Sequence, residues 1–195
     1  QIAGIIAYVS NYVEIDSCVN VGNIEQGLWG AAGICYTFTG ANSSLTNCVN
    51  YGDVTVAQYN AGGIIGNNAN AASVVNGNIN TGNISSTAAE TATSNHYGVG
   101  GIAGTGYATF TNCFNSGKVS GQVRVGGIVG SPSYYATQAR TQLVNCVNIG
   151  EVEKAAAVLS WGPRRARKLL TGATTTLALT LTTSPTARLM ATTTP

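Results

Sequence analysis

Five cysteines, one histidine and seven carboxylates are the side chains of this 195-residue sequence that could act as nucleophiles, metal ligands or acid–base groups. Zinc held by Cys and His draws on closely spaced ligand pairs. No Cys-x-x-Cys occurs, and the only histidine is His96. Beside Tyr97 it could serve as a general base, but no Ser or Cys partner stands at a motif spacing from it, and a single loop histidine reads as exposed. Glycosidic-bond cleavage needs paired carboxylates, and lyase chemistry often adds calcium held by clustered acids. Asp16 and Asp53 are the only aspartates and stand at different motif positions. Glu14 and Asp16 flank one residue and read as a solvated edge. Asp53 and Glu151 share the position after a Gly with Asn23, Asn83 and Lys118, so that position reads as exposed. No metal or cofactor is expected from these sets.

Four of the cysteines belong to a repeated decapeptide whose clearest copy is Leu45-Thr46-Asn47-Cys48-Val49-Asn50-Tyr51-Gly52-Asp53-Val54. It returns at Ile15–Ile24, Val75–Ile84, Phe110–Val119 and Leu143–Val152, with Asn78 in the place of Cys in the third copy. A second motif, Gly-Gly-Ile-apolar-Gly, alternates with it at residues 62–66, 100–104 and 126–130, with weaker copies at Ala3–Ala7 and Ala32–Cys35. The Gly before each Ile falls at 4, 33, 63, 101 and 127, and the Cys position at 18, 48, 78, 113 and 146. Two markers sharing one period of about 30 residues point to a solenoid, because each unit is too short to enclose a core alone.

The expected fold is an all-β, right-handed parallel β-helix (β-solenoid) of about five coils over residues 1–154, handedness following the crossover rule. A β-sandwich of matched hairpins is the competing architecture. Stacking puts Ile5, Ile34, Ile64, Ile102 and Ile128 in one interior column. Ile15, Leu45, Val75, Phe110 and Leu143 form a second, and Ile24, Val54, Ile84, Val119 and Val152 a third. Cys18, Cys48, Cys113 and Cys146 form a column of free thiols, since in-register neighbours facing the same way lack the Cβ geometry of a bridge. Strict alternation would set the leading apolar residue and Cys on opposite faces unless a bend intervenes. Asn20, Asn50, Asn80, Asn115 and Asn148 form a structural column able to build an amide ladder. With Gly22, Gly52, Gly82, Gly117 and Gly150, they are expected to make the left-handed corner of each coil. Segments 85–97 and 131–142 are longer than their counterparts and are expected to bulge as loops.

Charged residues make up only 8% of the chain and Gly numbers 25, which disfavours helices. Residues 1–154 hold all seven acids and four basic groups, a net of −3; residues 155–195 hold five basic groups and no acid. The repeat region lacks the cations that nucleic acid requires, and its Gly-rich runs do not lead into a helix as phosphate loops do. No apolar run is long enough for a transmembrane segment. The opening on a repeat unit leads us to expect a piece of something longer. After Lys154 both markers vanish. The Arg164–Lys168 cluster and a stretch with 11 Thr in the last 25 residues read as a disordered or out-of-frame Thr/Ala/Leu-rich tail over 155–195.

The alternation of Gly126-Gly127-Ile128-Val129-Gly130 with Thr111-Asn112-Cys113-Phe114-Asn115-Ser116-Gly117-Lys118-Val119 resembles the GLUG-motif repeats of bacterial surface and secreted proteins. The resemblance covers residues 1–154 and none of the tail. It implies an extracellular or cell-surface repeat region of an adhesin-like protein and carries over no catalytic residue. The expected function is therefore a non-catalytic stalk or adhesion surface. Its partners would be a host glycan or protein and neighbouring repeats of the same polypeptide, with no nucleic acid. Exposed loop residues Tyr134, Tyr135, Asn67, Asn68 and Asn70 are the expected contacts. The alternative is a β-helix carbohydrate-active enzyme, a polysaccharide lyase or hydrolase, in which Glu14, Asp16 and Asp53 would have to converge. Binding to a crystal surface would need Thr-x-Thr in register, and residues 37–39, 91–93 and 109–111 sit at different points of their units.

Overall fold

The computed structural model of the chain describes residues 1–26, 29–68, 70–88, 98–132 and 141–154. Much of both longer segments, with His96, Tyr97, Tyr134 and Tyr135, and the whole 155–195 tail lie outside the described residues. The first coil holds β1 (Ile2–Ala3), β2 (Ile6–Val9), β3 (Glu14–Asp16), β4 (Val19–Asn20) and β5 (Ile24–Gln26). Four further coils repeat this set. Each strand pairs in parallel with its counterpart one coil along, giving five sheets of five strands and four steps from coil to coil. The chain is thus a parallel β-solenoid, all strand with no helix among the described residues. Hairpin-built sandwiches are excluded by the pairing itself.

Register follows the motifs. Leu45 pairs with Val75, Asn50 with Asn80 and Val54 with Ile84. Apolar side chains from the middle coils form two core clusters. One holds Ile34, Ile64, Ile102, Leu45, Val75, Phe110, Cys48 and Cys113 from the β2–β4 side of the coil. The other holds Val54, Ile84, Val119, Ala31, Ala61 and Val99 from β5 and β1. In the inner coils these columns are fully or almost fully buried, whereas Ile5 in the first coil and Leu143 and Val152 in the fifth are exposed. A side chain in an outer coil has a stacked neighbour on one side only, which leaves these three open while Ile15, Ile24 and Ile128 stay buried.

The corner that turns each coil is not where the Asn and Gly columns placed it. Left-handed backbone falls instead on the residue before the Cys position: Ser17, Asn47, Gly77, Asn112 and Asn145, with φ between 53° and 69°. Asn tolerates this conformation because its short polar side chain bonds locally. The bend resolves the alternation problem, since with one residue turned back Leu45 and Cys48 are both buried on the inside. The glycines after the Asn column serve close approach. A Cβ at Gly52, Gly82, Gly117 or Gly150 would lie 1.9–2.0 Å from the carbonyl oxygen of the Gly one coil below.

Two substitutions separate these roles. Gly77→Asn keeps the left-handed turn and meets only the movable tip of the Asn47 side chain, so urea unfolding should show a change within about 0.5 kcal/mol or a small gain. Gly63→Ala would set a Cβ 2.3 Å from both Asn80 Cγ and the Gly101 carbonyl oxygen, and should cost about 2–3 kcal/mol.

Candidate functional site

The residues with the richest hydrogen-bonding chemistry are spent inside the coil. Asn20, Asn50, Asn80, Asn115 and Asn148 aim their amides at the second Gly of each Gly-Gly-Ile motif. A Cβ at Gly33, Gly63 or Gly101 would lie 2.3–2.4 Å from the facing Asn Cγ. From Asn20 to Asn115 each Nδ2 donates to the Oδ1 of the next Asn along the axis at 2.7–2.8 Å. It also donates to the carbonyl of the Gly two residues on, at 2.7–2.9 Å. In the middle coils both amide protons and the amide oxygen are thus satisfied at 0% exposure, as a buried polar group requires. Asn78, standing in the Cys column, is likewise buried: its Oδ1 accepts from the Cys48 N–H and its Nδ2 donates to the Leu45 carbonyl, both at 2.9 Å.

A second ladder runs along the polar position after Gly. Asn23 Oδ1 accepts from the Asp53 N–H, Asp53 Oδ1 from Asn83 N–H and Asn83 Oδ1 from Lys118 N–H, at 2.7–3.1 Å. Exposure alone does not describe this position, because its side-chain oxygens cap the coil above. Lys118 has no acceptor and ends the run. Its ammonium instead reaches Glu153 at 2.7 Å and Glu151 at 3.3 Å, a surface network of small energetic weight.

The acids do not form one group. Glu14 and Asp16 lie on β3, where Tyr12 donates a hydrogen bond to Glu14 and Asp16 accepts from Thr46, Ser17 and Asn47. Those three donors hold the Asp16 carboxyl below its usual range. Asp53 belongs to a different sheet edge, just before Val54–Val56. A cleft of about 400 Å³ opens beside Val152, lined by Gln122, Val123, Arg124, Val125 and Lys154 as well. Among the described residues no carboxylate lines it. Among the described residues no three His, Cys, Asp or Glu side chains gather as a metal site.

All five cysteines are free. Cys48 Sγ bonds the Thr46 carbonyl at 3.2 Å and Cys113 Sγ the Thr111 carbonyl at 3.4 Å. Burial pushes the Cys35 thiol up to about 12 and those of Cys48 and Cys113 to about 11. Such thiols are poor nucleophiles at neutral pH. Cys18 and Cys146, in the outer coils, are half-buried.

Three of the expected contact residues lie among those described. Asn67 is half-buried on the strand Ile65–Asn68. Asn68 is a correction, for it is fully buried in register with Phe38. Its Oδ1 accepts from the Asn70 N–H, while its Nδ2 has no partner among the described residues. Asn70 is a turn residue, donating to the Thr39 carbonyl and accepting from Ala72 N–H. Asn67 and Asn68, expected on a loop, thus close a strand, and only Asn70 lies outside one.

What the motif reading passed over is the outward face of the β4 sheet. Val19, Val49, Ile79, Phe114 and Val147 pair in register and point away from the Asn ladder. They form an uncharged apolar stripe crossing all five coils, widened by Val21, Tyr51 and Ile149 in the first, second and fifth, where the third and fourth have Thr81 and Ser116. Val21, Tyr51 and Ile149 are 57–76% exposed. The signal was present, since the residue after Cys is apolar in every copy, but alternation within a two-residue strand turns it outward. Trp29 and Tyr59, whose rings stack outside the coil, were also passed over because they fall between the motifs.

No protein-family model, curated protein or solved structure matches this chain.

Two measurements probe the interior. Asn80→Asp replaces two donors by a buried charge facing the Gly82 carbonyl and Asn115 Oδ1, so it should cost about 3–5 kcal/mol near neutral pH. It should cost more than Asn80→Ala there and recover on acidification as the carboxyl protonates. The thiols set an alkaline limit. Above about pH 9 the unfolded chain loses thiol protons that the folded chain keeps up to about 11–12, so stability must fall as pH rises through this window. The urea midpoint should drop between pH 8 and about pH 10.5, and less steeply in Cys48→Ala/Cys113→Ala.

Proposed function

We propose that this chain is a non-catalytic repeat segment of an extracellular or cell-surface bacterial protein, acting as a stalk that carries an adhesion surface. The observation that carries the reading is the uncharged stripe on the β4 sheet. A contiguous apolar face is costly to leave in water and marks a contact surface in many proteins. Its Val19, Val49, Ile79, Phe114 and Val147 column recurs in register with each coil, so its length scales with the number of repeats. The two motifs support the same reading from the inside, since their amides and thiols hold the coil together. The resemblance to GLUG-motif repeats supplies the setting, with host protein or glycan as the partner class.

Attachment of the full chain to surfaces coated with extracellular-matrix proteins and to arrayed glycans tests this. Val49→Lys/Ile79→Lys places two charges in the middle of the stripe without touching the interior. It should weaken attachment to a protein-coated surface at least about tenfold, with the circular dichroism of the folded chain retained. Absence of attachment by the unaltered chain to every protein and glycan would leave only the stalk.

A further inference from the structure

Trp29 and Tyr59 occupy the same place in successive coils, two residues before the paired Ala31 and Ala61. Their rings stack with centroids 4.7 Å apart and planes 7° from parallel. The indole remains 51% exposed although one face lies against the phenol. The backbone next to the pair is packed against a third aromatic. Tyr36 is buried, and its hydroxyl bonds to Gly30 and Asn60, the residues that follow Trp29 and Tyr59. Gly30 and Gly66 leave room for that ring, since a Cβ at either would lie 2.2–2.3 Å from it. Tyr59 itself has φ +31°, a conformation that a bulky residue keeps only where the surroundings hold it, and one found often at ligand sites.

The chemistry around the stack narrows the ligand. No charged residue stands at 29–30 or 57–60, so nucleic acid, which needs cations, is not matched. On the outer side of the adjoining β5 sheet Thr55 stands between Ser85, whose hydroxyl lies 3.0 Å from its own, and the exposed Glu25, a carboxylate that repels phosphate. A pyranose ring presents an apolar face of C–H groups and a rim of neutral hydroxyls, which fits a flat aromatic surface flanked by hydroxyl and carboxylate hydrogen-bonding groups. Rigid aromatics also make contact at little cost in side-chain entropy. The sequence has another aromatic, Tyr97, at the same offset before Val99, although Tyr97 lies outside the described residues.

We propose that the Trp29–Tyr59 stack is a saccharide-binding platform, on which a ring of a neutral glycan lies against the exposed indole. It rests on the adhesive reading above and adds a contact chemically distinct from the β4 stripe. The chain's other tryptophan is Trp161, so in a Trp161→Phe background the indole emission reports Trp29 alone. That full chain is titrated with neutral β-1,4-linked hexasaccharides of glucose and of N-acetylglucosamine. The expected result is a saturable change in emission with at least one of them, and binding by calorimetry about tenfold weaker or worse in Trp29→Ala. Trp29→Leu, which keeps apolar bulk without the flat ring, should lose binding as well, and serves if Trp29→Ala fails to fold. No saturable change with either hexasaccharide overturns the platform. Equal binding by folded Trp29→Leu overturns it too, while leaving a glycan-adhesive chain whose site is elsewhere. Continued attachment to protein-coated surfaces when both hexasaccharides fail would sink the platform alone.

Discussion

The structure depends on one contact: an asparagine amide held against a glycine that has no side chain. The Asn of one motif and the second Gly of the other meet inside the same coil, and the two apolar clusters lie apart from this polar waist. A larger residue at the glycine would drive the amide out of line; a residue without two donors and an acceptor at the Asn would leave buried carbonyls unsatisfied. Each amide also bonds its neighbours along the axis, so the waist sets the register of one coil on the next. Apolar columns alone would tolerate a slip, because Ile, Val and Leu interchange freely in them. Hydrogen-bonded amides do not, which makes the ladder the source of specificity as much as of stability.

This explains how much could be read in advance. The paired markers at one period dictated a parallel solenoid, and the in-register Leu45–Val75 and Asn50–Asn80 pairs follow from that period. The location of the corner did not follow, because Asn and Gly are suited equally to left-handed backbone and to close packing. In the Asn20 column the amide is needed for the ladder, and in the Gly52 column the missing Cβ is needed for a carbonyl. The turn falls instead to Asn47 and Asn112, residues whose side chains also bond between coils. Asn68 shows the same limit from another side. A polar residue beside a turn reads as solvated until its register with Phe38 places it indoors.

The surface was the harder part. Strands of two or three residues give too little alternation to say which apolar residue faces out, so Val49 and Ile79 look like core from their neighbours in sequence. Seen from the fold, the chain spends its amides and thiols on cohesion and leaves apolar and aromatic side chains outside. That division would suit the scaffold proposed above, which meets a partner along its length. Extra repeats would lengthen such a surface without altering the waist that holds each coil.

Side-chain amide exchange measured by NMR on the full chain tests the waist most directly. If the ladder holds the coils, the Nδ2 protons of Asn50, Asn80 and Asn115 should exchange as slowly as the backbone amides of the Val54–Val56 and Ile84–Ser86 strands beside them. Exchange of those protons as fast as that of the exposed Asn42 amide, with the backbone still protected, would contradict it.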